Sequence, residues 1–191
     1  MFLLEYFKLK FKDIPEKSMD SFINLATEVK FKKNETITRT GDISKDFFII
    51  KSGIVRSFYA DEKGKEYTRS IFVAGSTTGS LGSLISGESS KLNYECLSDC
   101  VLYKFVYVDF KNLSKKDSNI LLLHNKILEH IFILMEAKIH ELALLNATER
   151  YLKLKRAIPK IETVIPQYHI ASYLNVSAVQ LSRIRKEIYS K

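Results

Sequence analysis

The chain has 191 residues and a mass of 22.0 kDa, room for one large domain or two small ones around a real core. With 46% hydrophobic, 12% aromatic and 27% charged residues, and only seven glycines and three prolines, it falls outside the disordered, collagen-like and low-complexity classes. Its net charge of +8 is uneven: residues 149–191 hold nine lysines and arginines against three acids and so carry +6 of it. A polyanion partner for that segment is the physical reading, with a solvated basic face as the bland alternative.

The longest apolar run, Ile131 to Met135, is far short of the roughly 18 residues that span a membrane. The start Met1-Phe2-Leu3-Leu4-Glu5 lacks a basic leader and a small-residue cleavage site, so a cytoplasmic protein without a membrane partner is expected. Without a secretory signal, the Asn-x-Ser/Thr triplets at Asn34, Asn112, Asn146 and Asn175 are chance matches. Cys96 and Cys100 are too few for a zinc site or a four-cysteine cluster. Placed on one strand they would stand about 13 Å apart, too far for a disulfide, and are expected as reduced thiols.

From Phe31 to about Val108 the chain reads as short β segments. Glu35-Thr36-Ile37-Thr38 alternates, while Phe47 to Ile50 and Ile54 to Tyr59 are rich in β-branched and aromatic residues. Turns fall at Thr40-Gly41-Asp42, Lys51-Ser52-Gly53, Asp61 to Gly64, Gly75 to Gly82 and Ser86-Gly87-Glu88. Many short strands at this spacing point to a β-sandwich or small barrel.

After Asp117 neither Gly nor Pro occurs until Pro159. Steps of three and four from Leu121 reach His124, Leu128, Ile131, Met135, Lys138, Leu142 and Leu145, predicting one long helix over roughly Asn119–Leu145. Apolar residues also stand at Leu122, Ile127, Phe132, Leu134 and Ile139. So wide a girth asks for two partners, the chain's own sheet and a second copy of the helix.

The stretch from Ile165 to Ile188 reads as a helix-turn-helix. Gln167 to Leu174 forms the first helix, with Ile170 and Leu174 inward and the small Ala171 where the helices approach. Asn175-Val176 makes the turn, since asparagine tolerates the left-handed conformation required there. Ser177 is an N-cap, and Leu181 and Ile184 bury the inner face of the second helix. Ala178, Val179, Gln180, Ser182, Arg183 and Lys186 are left for the outer face. Arg183 and Gln180 suit base edges in a major groove, and Ala178 or Val179 a thymine methyl. Tyr168, Ser177, Arg185 and Lys186 suit phosphates, and Gln167 joins the candidate DNA-binding set.

A β region, a long helix and a terminal helix-turn-helix, in that order, resemble the cyclic-AMP receptor/Fnr superfamily of bacterial transcription regulators. The matching residues are Gly41-Asp42, Phe47 to Arg56, Thr78-Gly-Ser-Leu-Gly at the phosphate-binding cassette, Ile170 to Ser177, and Leu181-Ser-Arg-Ile-Arg. The resemblance implies an α+β fold. It comprises an N-terminal cyclic-nucleotide-binding-like jelly roll over 1–116, a dimerisation helix over 117–146, and a C-terminal winged helix-turn-helix over 147–191. It also implies a homodimer on double-stranded DNA, an effector pocket coupled through the central helix to the DNA heads, and RNA polymerase as a further partner.

The departures bear on the effector. In cyclic-nucleotide binders of this family the cassette reads Gly-Glu-Leu, and an Arg-Ser/Thr-Ala follows about ten residues later. Here Ser80 stands at the Glu position, and the Arg position falls within Ser89-Ser90-Lys91-Leu92-Asn93. A lysine brings a point charge without arginine's bidentate fork. The candidate pocket is Gly79, Ser80, Leu81, Gly82, Ser89, Ser90 and Lys91, and cyclic AMP is not its expected ligand in the usual manner. No cofactor is expected; the effector is an unidentified small molecule or none, with the three glycines then serving only as turns.

Two readings of other classes stand beside this one. A jelly-roll metal oxygenase would need histidines in the β region, but His124, His130 and His140 fall on the long helix and His169 in the helix-turn-helix. Nor does a phosphate loop or a nucleophile elbow occur, so no enzyme is expected. A sensing or interaction module that reads no DNA is the stronger rival.

Overall fold

The computed structural model describes residues 2–190. Met1 of the leader reading and Lys191 of the basic segment lie outside the described residues, as do the side chains of residues 2–4 and 8. Two helices, α1 (Phe2–Lys10) and α2 (Glu16–Ile23), precede eight strands, an arrangement the sequence reading did not anticipate. The strands are β1 (Thr27–Phe31), β2 (Thr36–Thr38), β3 (Asp46–Ser52), β4 (Val55–Ala60), β5 (Glu66–Phe72), β6 (Thr77–Thr78), β7 (Asn93–Cys96) and β8 (Cys100–Val106). A short helix, α3 (Leu81–Ser86), stands between β6 and β7.

The strands form two antiparallel sheets, in the orders β1-β8-β3-β6 and β2-β7-β4-β5. The apolar run Phe47-Phe48-Ile49-Ile50 explains why β3 is covered on both sides. Phe48 and Ile50 point between the sheets with Val55, Cys96, Cys100 and Leu102. Phe47 and Ile49 point the other way into a core built with α1, α2 and the helices that follow the roll. There Phe105 stacks between Phe22 and Phe47, with ring centroids 4.7 and 5.0 Å apart, a contact that adds to simple burial.

Cys96 and Cys100 do not share the strand that the sequence spacing assumed. Cys96 closes β7 and Cys100 opens β8, so Leu97-Ser98-Asp99 carries the chain from one sheet to the other between them. Gly53 is required beside them. At φ +96°, a Cβ there would lie 2.5 Å from both the Asp99 carbonyl and the Cys100 sulfur.

Beyond the roll come α4 (Tyr107–Lys116) and the long helix α5 (Ser118–Leu144), close to the expected span. Asp117 caps α5 by accepting from the Asn119 amide. Ile120, Leu123 and His124 are buried and Ile127 packs beside them, a one-face spacing that seats the first turns of α5 on the roll. His124 meets Phe110 edge-on at 5.1 Å. Further along, Phe132, Ile133, Leu134, Met135, Ile139, Leu142 and Leu144 are exposed. Among the described residues no helix is long and apolar enough to cross a membrane.

The remaining elements are α6 (Ala147–Ala157), α7 (Ile161–Val164), α8 (Gln167–Tyr173) and α9 (Ala178–Tyr189). Tyr151, Leu154, Ile161, Ile165, Ile170, Leu174 and Leu181 form their common core, completed by Ile54 and Leu97 of the roll. Among the described residues this part is helical throughout, and no strand of a wing follows α9.

Candidate nucleic-acid interface and effector roll

The turn between α8 and α9 follows from three side chains. Asn175 takes φ +56°. Its amide bonds the Ser172 carbonyl at 3.1 Å and the Val176 amide bonds the Ala171 carbonyl at 3.0 Å, the pair of bonds that closes a helix through a left-handed residue. Ala171 and Val176 share the same apolar cluster, so the small residue and the plug meet at the corner. Ser177 then starts α9 with a reciprocal cap: its Oγ accepts from the Gln180 amide at 3.1 Å, and the Gln180 side chain accepts from the Ser177 amide at 2.9 Å.

Leu181 is buried and Ile184 and Ile188 pack inward. Ala178, Val179, Gln180, Ser182, Arg183 and Lys186 are all exposed. Arg183 and Lys186 make no side-chain hydrogen bond or ion pair with the other described residues. Gln180 spends its carbonyl oxygen on the cap and keeps its amide donors. Gln167 and Tyr168 are exposed at the start of α8, with the Tyr168 ring against His169 at 4.0 Å. Arg185 is placed differently from the phosphate-facing position expected of it, since its Nε pairs with Glu162 at 2.8 Å. Glu162 also accepts from Tyr151 and Tyr189, so this carboxylate ties α6, α7 and α9 together.

Two contacts that the sequence did not signal join these helices to the rest. Ser172 Oγ accepts from the Thr68 amide at 2.8 Å and donates to the Glu66 carbonyl at 3.1 Å, covering the open edge of β5. Beside it Arg56, buried in β4, pairs with Glu66 at 2.7 Å and Glu95 at 2.5 Å. His169 is buried nearby and its pKa is pushed down to about 4, by burial first and by the Arg56 charge second. The second contact is Arg150, which donates to the Leu145 carbonyl at the end of α5 (2.6 Å) and to the Leu174 carbonyl at the turn (3.0 Å). Lys138 of α5 lies 3.7 Å over the Tyr173 ring, and Glu141 pairs with Lys153 at 3.0 Å. An open cleft of about 570 Å³ separates the β4–β5 hairpin, at Lys65 to Tyr67, from the N-terminal end of α9.

The expected pocket residues are gathered only in part. Gly79, at φ +132°, leaves a Cβ 3.3 Å from the Asp46 carbonyl and the Phe47 Cα, so it seats β6 on β3. Ser80 is buried, as is Tyr94. Burial pushes Tyr94 up to about 12, so its phenol stays protonated. The Ser90 hydroxyl is occupied by the carbonyl and amide of Leu92, at 2.7 and 3.2 Å. Leu81 is half-buried, while Gly82, Ser89 and Lys91 are exposed.

Residues 28–117 match the cyclic nucleotide-binding domain family. No curated protein matches the chain. Among solved structures, FixK2 from Bradyrhizobium japonicum is 19% identical at a TM-score of 0.73, over 86% of this chain and 85% of that one. The c-di-GMP responsive global regulator CLP of Xanthomonas campestris is 16% identical at 0.66, over 92% of each chain. The catabolite activator protein of Thermus thermophilus is 20% identical at 0.58, over 94% of this chain and 86% of that one. The α+β fold that the sequence resemblance implied is the fold of these solved structures, without the expected wing among the described residues.

Proposed function

We propose that this chain, whose residues 28–117 carry a cyclic nucleotide-binding domain on a cyclic-AMP receptor/Fnr-type fold, is a sequence-specific DNA-binding transcription regulator. It acts as a homodimer and is not controlled by cyclic AMP in the usual manner. The observation that carries the reading is the outward face of α9, with Arg183 and Lys186 uncommitted on a helix whose entry is fixed by Asn175 and Ser177. A rigid helix presenting an arginine suits the guanine edge of a major groove, and the neighbouring lysine suits phosphate.

The two-fold partner is supported by α5, whose apolar side chains beyond Leu128 are left in solvent by a single chain. Arg150 supports a mechanical link, because one guanidinium grips both the end of α5 and the turn before α9. Against cyclic AMP stand a buried serine, Ser80, at the Glu position, Ser90 bound to its own turn, and Lys91 directed to solvent. None of these leaves a fork for the cyclic phosphate. A different small-molecule effector, or none, fits these contacts, with RNA polymerase as the downstream partner.

Selection from random duplex DNA near physiological salt, with and without cyclic AMP, tests the reading. A two-fold symmetric motif with half-sites about 34 Å apart, equal in both arms, is the expected result. Enrichment only with the nucleotide would overturn the account of Ser80 and Ser90. A chain that enriches no motif would instead be a module that reads no sequence.

A further inference from the structure

The cleft of about 570 Å³ beside the first turn of α9 has one wall on the roll, the β4–β5 hairpin. The turn of that hairpin is stiff. The Asp61 carboxylate accepts from the Lys63 amide at 3.0 Å, the Lys65 amide at 2.9 Å and the Tyr67 hydroxyl at 3.2 Å, an aspartate-closed turn. Behind it, the bonds of Ser172 to the Thr68 amide and the Glu66 carbonyl fix β5 against α8. The hairpin and the start of α9 are thus held across a defined gap.

The lining of the gap favours an anion. Lys65 is exposed on it, with its ammonium 4.9 Å from the centre of the Tyr67 ring. Among the described residues that ammonium makes no ion pair or hydrogen bond. Glu66, the one acid of the lining, is paired with Arg56 at 2.7 Å. On the facing wall Tyr168 is 61% exposed. His169 lines the same space while only 5% exposed, and its imidazole has no hydrogen-bond partner among the described residues. The first turn of α9 opens inward through Ser177 and Ala178, so the positive end of the helix dipole faces the gap as well.

We propose that this cleft is a phosphate channel, in which Lys65 of the roll grips the backbone of the same duplex that α9 reads. A recognition helix enters the major groove by its N-terminal residues, so a sugar–phosphate strand passes beside its first turn. Here that strand runs between α9 and the hairpin. Lys65 meets it with a full charge from one side, and the Tyr168 hydroxyl and the His169 imidazole N–H meet it from the other. DNA contact therefore extends beyond the basic C-terminal segment to the effector roll. The proposal rests on the regulator reading above for its duplex.

The test measures duplex affinity against salt concentration by fluorescence anisotropy for the full chain and for Lys65→Ala, Lys65→Arg and Lys63→Ala. Lys63 lies on the same hairpin but off the cleft lining. Lys65→Ala should bind selected and random duplexes several-fold more weakly and lower the salt slope by about one. Lys65→Arg should restore both, and Lys63→Ala should match the wild type. On the selected duplex, single phosphates replaced by uncharged methylphosphonate should reveal one position per half-site that weakens the wild type and leaves Lys65→Ala unaffected. An unchanged salt slope in Lys65→Ala, the absence of such a phosphate, or tighter binding that makes the hairpin an obstacle to the duplex would each overturn the proposal. A wild type that enriches no motif, yet loses a unit of salt slope with Lys65, would sink the regulator reading and leave the channel standing.

Discussion

His169 shows how one buried side chain ties the C-terminal helices to the roll. It is 5% exposed, faces Arg56 and Glu66 from the roll, and lies beside Tyr168 on its own helix; Lys33 adds a more distant positive charge. Burial and the Arg56 and Lys33 charges hold its pKa near 4, and Glu66 opposes them. Because the unfolded imidazole titrates near 6.5, the unfolded chain binds more protons between these values, so stability must fall as pH drops through this window. Above pH 6.5 the contribution is complete. The expected loss by pH 4.5 is on the order of 2 kcal/mol. Thermal unfolding from pH 7.5 to 4.5 should slope less for His169→Gln than for the wild type. Equal slopes would show that the imidazole is solvated. The sequence marked His169 only as one of four histidines outside the β region, because its neighbours Arg56 and Glu66 are brought to it only by the docking of α8 on β5.

At the scale of elements, what could be read from the chain was whatever is local. The apolar spacing located α5, the Asn175-Val176-Ser177 run located the turn and the cap of α9, and the Gly-rich punctuation located the roll. α1 and α2 escaped because they are held by Phe7, Phe11 and Phe22 against Phe47 and Phe105, contacts distant in sequence. The cysteine spacing misled because a three-residue turn separates two sheets there. Arg185 was misjudged because Glu162 meets it only in the fold. The geometry of α9 divides its two uncommitted cations by role. Arg183→Ala should relax base preference at one position in each half-site, at a cost of about 1–3 kcal/mol for the preferred duplex. Lys186→Ala should weaken preferred and random duplexes alike and lower the salt slope by about one. Binding-site selection and salt titration on both variants separate these outcomes, and indistinguishable profiles would refute the assignment.

Across the whole molecule, α5 has two seams and only one is filled within the chain. Ile120, Leu123 and Ile127 pack on the roll, while the seam through Leu121, Leu128, Ile131, Met135 and Leu142 lies one residue out of step with it. Along the outer half Phe132 is 67% exposed and Met135 50% exposed, more contiguous apolar surface than a monomer normally keeps in water. A second α5 covers it with matching side chains, since heptad-spaced positions related by a two-fold axis face their own equivalents. Lys138 departs from the seam for a physical reason: it is drawn to the Tyr173 ring and to Glu141, 3.6 Å away. The same helix therefore presents one face to its partner and another to the helix-turn-helix, so pairing the helices sets the separation of the reading heads. Sedimentation of the wild type should give about twice the 22.0 kDa chain mass. The double variant Met135→Glu/Leu142→Glu places a carboxylate against its own copy twice and should run as a monomer with its helical signal retained. That monomer should keep weak, salt-sensitive binding to duplex and lose its preference for two-fold symmetric sites. A wild type that sediments as a monomer at micromolar concentration, or a double variant that still pairs, would overturn this account of α5.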